Sequence, residues 1–247
     1  MSFDLTALLR DWPYEADDNM RIVEAQDGRN VLQVRQPLGV EQYELDGRPD
    51  GEHPFNGESV VAELDVRLAR HKEAAGDDEG FELTHDDCAL MQNEGILYYY
   101  RYLLLFQLND FERVIRDTEH NLRICALLEN YCTDKEDRNA VLQFKPYIIR
   151  MNAMARAMHH ARDEDSGEAR EILEQAIAEI QALEKIDSPA FQFERVRSVN
   201  YLRSARDQIA DHPADPRKKL EHELRQAVDD EDYERAAQIR DRIRGLS

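Results

Sequence analysis

The chain has 247 residues, 34% of them charged, and a formal net charge of −20. That excess of acid excludes broad binding to phosphate backbones, which needs a basic face, and suits solubility and basic or apolar partners. Three cysteines, Cys88, Cys125 and Cys132, form no CxxC pair, which argues against a disulfide framework or a paired-thiolate zinc site and points to a reducing, cytoplasmic setting. No run approaches the ~18 apolar residues of a membrane span, and the first residues lack the basic start and apolar core of a signal peptide.

Along the chain, residues 3–11 predict a short helix with Leu5, Leu8 and Leu9 on one face, ended by Trp12-Pro13. Residues 20–46 predict a small antiparallel meander of two or three strands, with turns at Asp27-Gly28-Arg29-Asn30 and Pro37-Leu38-Gly39. From 58 to 75 the pattern turns helical, with Val60, Val61, Leu64 and Leu68 on one face. A polar break, Gly76 to Gly80, follows. Thr84 is the expected N-cap of a helix carrying Leu90, Met91, Ile96, Tyr98, Tyr99, Tyr100, Tyr102 and Leu105. Apolar on most sides, it is expected to be central, with its tyrosines mostly in the core and one or two left at the surface. Asn109-Asp110 caps the next helix, Phe111 to about Tyr131, and further helices are expected over 138–162, 166–186 and from Ser188-Pro189 to about Ala210. Five antiparallel helices over 84–210 make a bundle or a helical array.

After the linker His212–Pro216, residues 217–246 read as two short helices around the acidic turn Asp229-Asp230-Glu231-Asp232. Their apolar stripes are Leu220, Leu224, Ala227 and Val228, then Tyr233, Ala236, Ala237, Ile239 and Ile243. A hairpin this small needs a partner surface. Residues 217–247 hold eight basic and eight acidic residues, so the whole −20 resides in 1–216. The expected fold is mainly α, a helical array with a small N-terminal α/β meander (1–56), a helical domain (57–211) and a C-terminal hairpin (217–246).

Candidate sites outside the hairpin are few. His85-Asp86-Asp87-Cys88 reads as a charged helix start, because adjacent helical residues point apart. His160 and Glu164 share a face, but one pair does not make a metal site. Cys125 and Cys132 read as half-buried thiols. No phosphate loop, nucleophile elbow or zinc-protease helix occurs. We therefore expect no catalytic residues, cofactor or metal. The basic residues Arg217, Lys218, Lys219, Arg240, Arg242 and Arg244 are interleaved with acid, which favours a salt-bridged face over nucleic-acid contact.

Two resemblances add to this reading. Leu108-Asn109-Asp110-Phe111-Glu112-Arg113-Val114, with Gly95, Tyr98 and Tyr99 upstream, resembles one tetratricopeptide unit of about 34 residues. Asn109 stands at the family's Gly, and Val114 and Asn121 at its Ala positions. A fainter unit lies at 147–181, with Ala169 and Ala176 on its second helix. The C-terminal segment, Leu220-Glu221-His222-Glu223-Leu224-Arg225-Gln226-Ala227-Val228 and then Asp232-Tyr233-Glu234-Arg235-Ala236-Ala237-Gln238-Ile239-Arg240-Asp241-Arg242-Ile243, resembles the UVR motif of bacterial UvrB, UvrC, the ClpC unfoldase and McsA-type activators. The strand region also looks like the N-terminus of bacterial proteins that end in such a motif. The resemblance implies a docking module that pairs through apolar faces, with Arg240 reaching back to the acidic turn. Helicase motifs, nuclease sites and paired-cysteine modules are missing, so no activity transfers. The implied function is a non-enzymatic adaptor. Its partners would be UvrB/UvrC-type proteins in nucleotide excision repair, a Clp-type unfoldase, or a second copy of the chain.

Overall fold

The computed structural model describes residues 4–162, 166–210, 220, 224, 235, 238–240, 242 and 243. It is mainly helical with one small N-terminal sheet, and it divides into two compact units, residues 1–101 and 102–247.

In the first unit, strands β1 (Met20–Glu24), β2 (Asn30–Gln36) and β3 (Gly39–Glu44) form the expected antiparallel meander in that order. The register pairs Ile22 with Leu32 and Leu32 with Tyr43. The Pro37-Leu38 turn sets it, because Gln36 pairs with Gly39 across a two-residue loop. The β1–β2 turn depends on Gly28 at φ 86, a left-handed conformation that costs glycine nothing. β2 is buried on both faces, with Leu32 and Val34 on one and Val31 and Arg35 on the other. Arg35 donates from Nε to the Trp12 carbonyl at 2.7 Å and from Nη1 to that of Gly39 at 3.1 Å. Arg21 stacks on the Trp12 ring, 3.8 Å from its centroid.

Helix α1 is Thr6–Asp11 and buries none of its residues. The apolar face expected there is not a packing face: Leu5 and Leu8 are exposed. The segment is held instead through the Trp12 carbonyl and ring.

Helix α2 (Val60–Ala75) buries the four residues that its periodicity selects, Val60, Val61, Leu64 and Leu68. The Ser59 hydroxyl caps its start by accepting from the Ala62 N–H at 3.0 Å. Gly76, at φ 95, ends it. Helix α3 (His85–Gln107) starts with a reciprocal cap at the expected Thr84. The Asp87 N–H donates to Thr84 Oγ1 at 3.1 Å, and the Thr84 N–H to Asp87 Oδ2 at 3.0 Å. Asp87 also receives two hydrogen bonds from Arg67, at 2.6 and 3.2 Å. Burial alone would raise the Asp87 pKa, but the Arg67 and Thr84 bonds outweigh it and hold the carboxyl below its ordinary value. A carboxylate depressed in the folded state stabilises it above the unfolded pKa and loses that contribution as pH falls. Arg67→Ala should therefore lower stability most at pH 7, where the contribution is fully present, by the modest amount of a half-exposed pair, and move the acid-unfolding midpoint to higher pH, followed by circular dichroism.

The α3 surface departs from the all-apolar expectation. Met91, Tyr98, Tyr102 and Leu105 are buried, but so are Glu94 and Arg101, each with no exposed surface. Glu94 accepts from the N–H groups of Val60 and Val61 at 2.7 and 3.1 Å, and from Arg48 Nη1 at 2.9 Å. Its carboxylate holds the start of α2, where free N–H groups and the helix dipole favour negative charge. Arg101 donates to the Glu44 carbonyl at 2.8 Å. Leu90, Ile96 and Tyr100 are exposed.

In the second unit, helix α4 (Phe111–Tyr131) begins at Asp110, whose side chain accepts from the Arg113 N–H at 3.3 Å. Asn109 just before it has φ 57, a left-handed position that Asn tolerates better than most residues. The single helix expected over 138–162 is two, α5 (Lys135–Leu142) and α6 (Lys145–Arg162). Pro146 is the reason: inside a continuous helix it would lose a hydrogen bond and clash with the Leu142 carbonyl, whereas a first turn accepts it. Where five helices are expected over 84–210, the described residues accordingly form six.

Helix α7 (Ser166–Ala182) is shorter than the expected 166–186. Ile186 leaves the helical path and packs against the cluster of Cys125, Leu142 and Ile148. Arg195 closes the open end of α7 by donating to the carbonyls of Ile180 at 3.3 Å and Gln181 at 2.5 Å. Helix α8 (Pro189–Ala210) starts where Ser188-Pro189 predicts. The main core joins Ile149, Ala153 and Ala157 of α6, Ala169, Leu173, Ala176 and Ile180 of α7, and Val199 and Leu202 of α8. The alanines at 169 and 176 keep the facing surface of α7 flat.

Candidate functional site

The titratable motifs of the sequence have local, structural partners. Asp87 serves Arg67 and Thr84, and Cys88 is buried. The His159 and His160 rings meet edge-on at 6.1 Å, while Glu164 lies outside the described residues. Among the described residues no three His, Cys, Asp or Glu side chains converge as a metal-binding group. Cys125 and Cys132, expected to be half-buried, are fully buried, and burial pushes the Cys125 thiol up to about 12. A thiol that seldom ionises is a poor nucleophile.

The tyrosine run splits as helical geometry requires. Tyr98 and Tyr102 are core, Tyr99 is half-buried, and Tyr100 is exposed against it with ring centroids 5.4 Å apart. In the second unit, a cavity of about 340 Å³ is lined by Lys135, Arg138, Leu142, Lys185, Asp187 and Phe191. Its lining brings both signs of charge beside the apolar side chains of Leu142 and Phe191. Sequence reading missed the aromatic outer face of α8, where Phe193 and Val196 are 62% and 61% exposed. The signal was two apolar residues three apart on a helix otherwise rich in charge.

At the C-terminus, the described residues 220, 224, 235, 238–240, 242 and 243 are all helical. Leu220 and Leu224 are four apart, as are Ile239 and Ile243, so each pair lies on one helix face. The four pack together, with Leu220 and Ile239 buried at their centre. Arg235, Gln238, Arg240 and Arg242 are exposed. The four apolar side chains thus close on one another, while the described polar residues Arg235, Gln238, Arg240 and Arg242 face outward.

The UvrB/UvrC motif, UVR, matches residues 216–247. No curated protein and no solved structure matches the chain. Of the residues expected to bind a partner, Leu220, Leu224, Ile239 and Ile243 form the UVR cluster, and Arg240 lies on its exposed side. Ala227, Val228, Tyr233, Ala236 and Ala237, like the acidic turn, lie outside the described residues. Two buried and two half-buried apolar residues give the UVR segment a small hydrophobic centre. Leu224 and Ile243 keep part of their apolar surface at its edge, where a second apolar face can add to it. No described helix is long and apolar enough to cross a membrane.

Proposed function

We propose that the protein is a non-enzymatic adaptor that docks a partner protein through its C-terminal UVR hairpin while its helical body contacts another. The observation that carries this reading is the UVR match at 216–247, together with the Leu220–Ile239 cluster left open at Leu224 and Ile243. UVR hairpins are pairing modules, and the balanced charge of this one beside a body holding the whole −20 supports a separate docking role. Within the same proposal, the body packs in a tetratricopeptide-like way, which the left-handed Asn109 at the family's glycine position supports. The proposed setting is the bacterial cytoplasm. Direct nucleic-acid binding is not part of the reading, given the acid excess.

The partners that the motif suggests are UvrB/UvrC-type proteins, which would make the chain an accessory factor of nucleotide excision repair, or a Clp-type unfoldase. Self-association is the third form. Immobilised protein should retain one of these, and the pair Leu224→Asp with Ile243→Asp should abolish retention without changing the stability of the body. Stimulation or inhibition of the unfoldase ATPase would favour the Clp reading over the repair reading. A monomeric wild type that retains none of them at micromolar concentration would refute docking by the hairpin.

A further inference from the structure

Helix α5 sorts its charges by face. Of its residues, Lys135, Arg138, Asn139 and Leu142 line the cavity of about 340 Å³ in the second unit. They stand at the i, i+3, i+4 and i+7 positions of one helix face. The acids of the same helix, Glu136 and Asp137, are not part of the lining. In a chain of formal net charge −20, one wall of a cavity is thus cationic and carries no carboxylate.

The rest of the lining comes from Glu129, Lys145, residues 183–187 and Phe191. Lys145 is neutralised in place, because its Nζ donates to both Glu129 oxygens at 2.7 Å. Lys135, Arg138 and Lys185 have no ion-pair or side-chain hydrogen-bond partner among the described residues. Glu184 and Asp187 line the same cavity near Lys185 in the chain and pair with none of the three. A single lysine facing water needs no explanation. Three unpaired cations from two elements on one concave surface repel one another, and an anion among them relieves that repulsion. Beside them Leu183 and Ile186 are only half-buried, so the cavity also offers apolar surface.

We propose that this cavity binds a small organic anion, an oxyanion head on an apolar body. The planar fork of Arg138 donates to two oxygens of the head, and Lys135 adds charge beside it. The Asn139 carboxamide supplies a further donor. The head belongs on the α5 wall, because both unpaired carboxylates of the lining lie in 183–187, where Lys185 offsets one of them. The body lies along Leu142, Leu183 and Ile186. From Lys135 to Leu142 the helix rises about 10 Å, which sets the length of the ligand. The volume falls at the lower end of small-molecule sites, roughly 300–1,000 Å³. Carboxylates and phosphate monoesters share this chemistry. The proposal does not rest on the adaptor reading, and its failure leaves docking by the hairpin untouched.

The test is calorimetric titration of the full-length chain with phenyl phosphate and with phenylacetate, at low ionic strength where such contacts are least screened. Inorganic phosphate, which lacks the body, and benzyl alcohol, which lacks the charge, are the comparison probes. Saturable binding of phenyl phosphate alone identifies phosphate monoesters, of phenylacetate alone carboxylates, and of both the oxyanion in general. Each comparison probe should bind at least about tenfold more weakly, the loss of about 1.4 kcal/mol. Arg138→Glu should weaken binding at least about tenfold and Arg138→Gln at least about threefold. Arg203→Glu makes the same charge change at an exposed α8 residue outside the lining and should bind like wild type. Binding of neither anion, comparison probes as tight as the anions, or unchanged affinity in both Arg138 variants would overturn the proposal.

Discussion

Glu94→Ala should unfold the protein at much lower urea concentration, with a loss of about 3–5 kcal/mol typical of removing one partner from a buried charged network. The carboxylate has no exposed surface and holds three donors, the N–H groups of Val60 and Val61 and the Arg48 guanidinium. Truncation leaves two helix-end N–H groups and a largely buried cation without that acceptor. Glu94→Gln should cost less, because one oxygen still accepts, but its amide turns a donor toward other donors. Arg48→Ala should cost least, since Asp50 already shares that guanidinium at 2.8 Å and the helix N–H bonds survive. The Arg48/Glu94 double-mutant cycle should show a coupling energy of about 0.5–3 kcal/mol. Equal urea midpoints for wild type and Glu94→Ala would contradict this account of how α2 is anchored.

Glu94 also marks the limit of what the amino-acid sequence discloses. Apolar periodicity is a local signal, and it located Val60, Val61, Leu64 and Leu68 on the buried face of α2. Short-range capping chemistry located Thr84, Asp110 and Ser188, because a side-chain acceptor directly before a helix, bonding the N–H three residues on, has few other uses. Glu94 and Arg101 carry no such signal. Charged residues on a helix normally face water, and their burial depends on backbone groups 33 to 57 residues away. Pro146 was visible, yet a continuous helix was read through it, since the apolar spacing on either side continues almost unbroken. The end of α7 at Ala182 depends on Ile186 finding a separate cluster, a tertiary choice that helical pattern cannot contain.

The candidate site divides in the same way. The hairpin's apolar residues were legible from four-residue spacing, and four of them meet in one cluster. That the cluster closes on itself, leaving Leu224 and Ile243 at its edge, could not be read from spacing, which gives a face but not what covers it. The ion pair of Arg150 on α6 with Glu194 on α8, at 4.0 Å, was invisible for a third reason. It joins residues 44 apart on two helices and contains no motif.

The second large effect is expected at Ile239, which is 4% exposed at the centre of the hairpin cluster. Ile239→Asp places a carboxylate among the apolar side chains of Leu220, Leu224 and Ile243. A cluster of four apolar residues has little stability in reserve, so the cost of burying that charge exceeds what it supplies. The hairpin should open while the core built from α6, α7 and α8 melts within about 0.5 kcal/mol of wild type, because among the described residues the two clusters have no member in common. Ile239→Val, which keeps shape and polarity, should behave like wild type to within about 0.5–1.5 kcal/mol.

The decisive measurement is quantitative affinity capture with wild type, Ile239→Val and Ile239→Asp as parallel baits, scored for UvrB/UvrC-type proteins, Clp-type unfoldase and untagged copies of the chain. Docking through the UVR hairpin predicts that one of these is retained by wild type and Ile239→Val and falls at least about tenfold with Ile239→Asp, the change expected from losing about 1.4 kcal/mol of binding. Equal recovery on all three baits, with the body of Ile239→Asp intact, would contradict it.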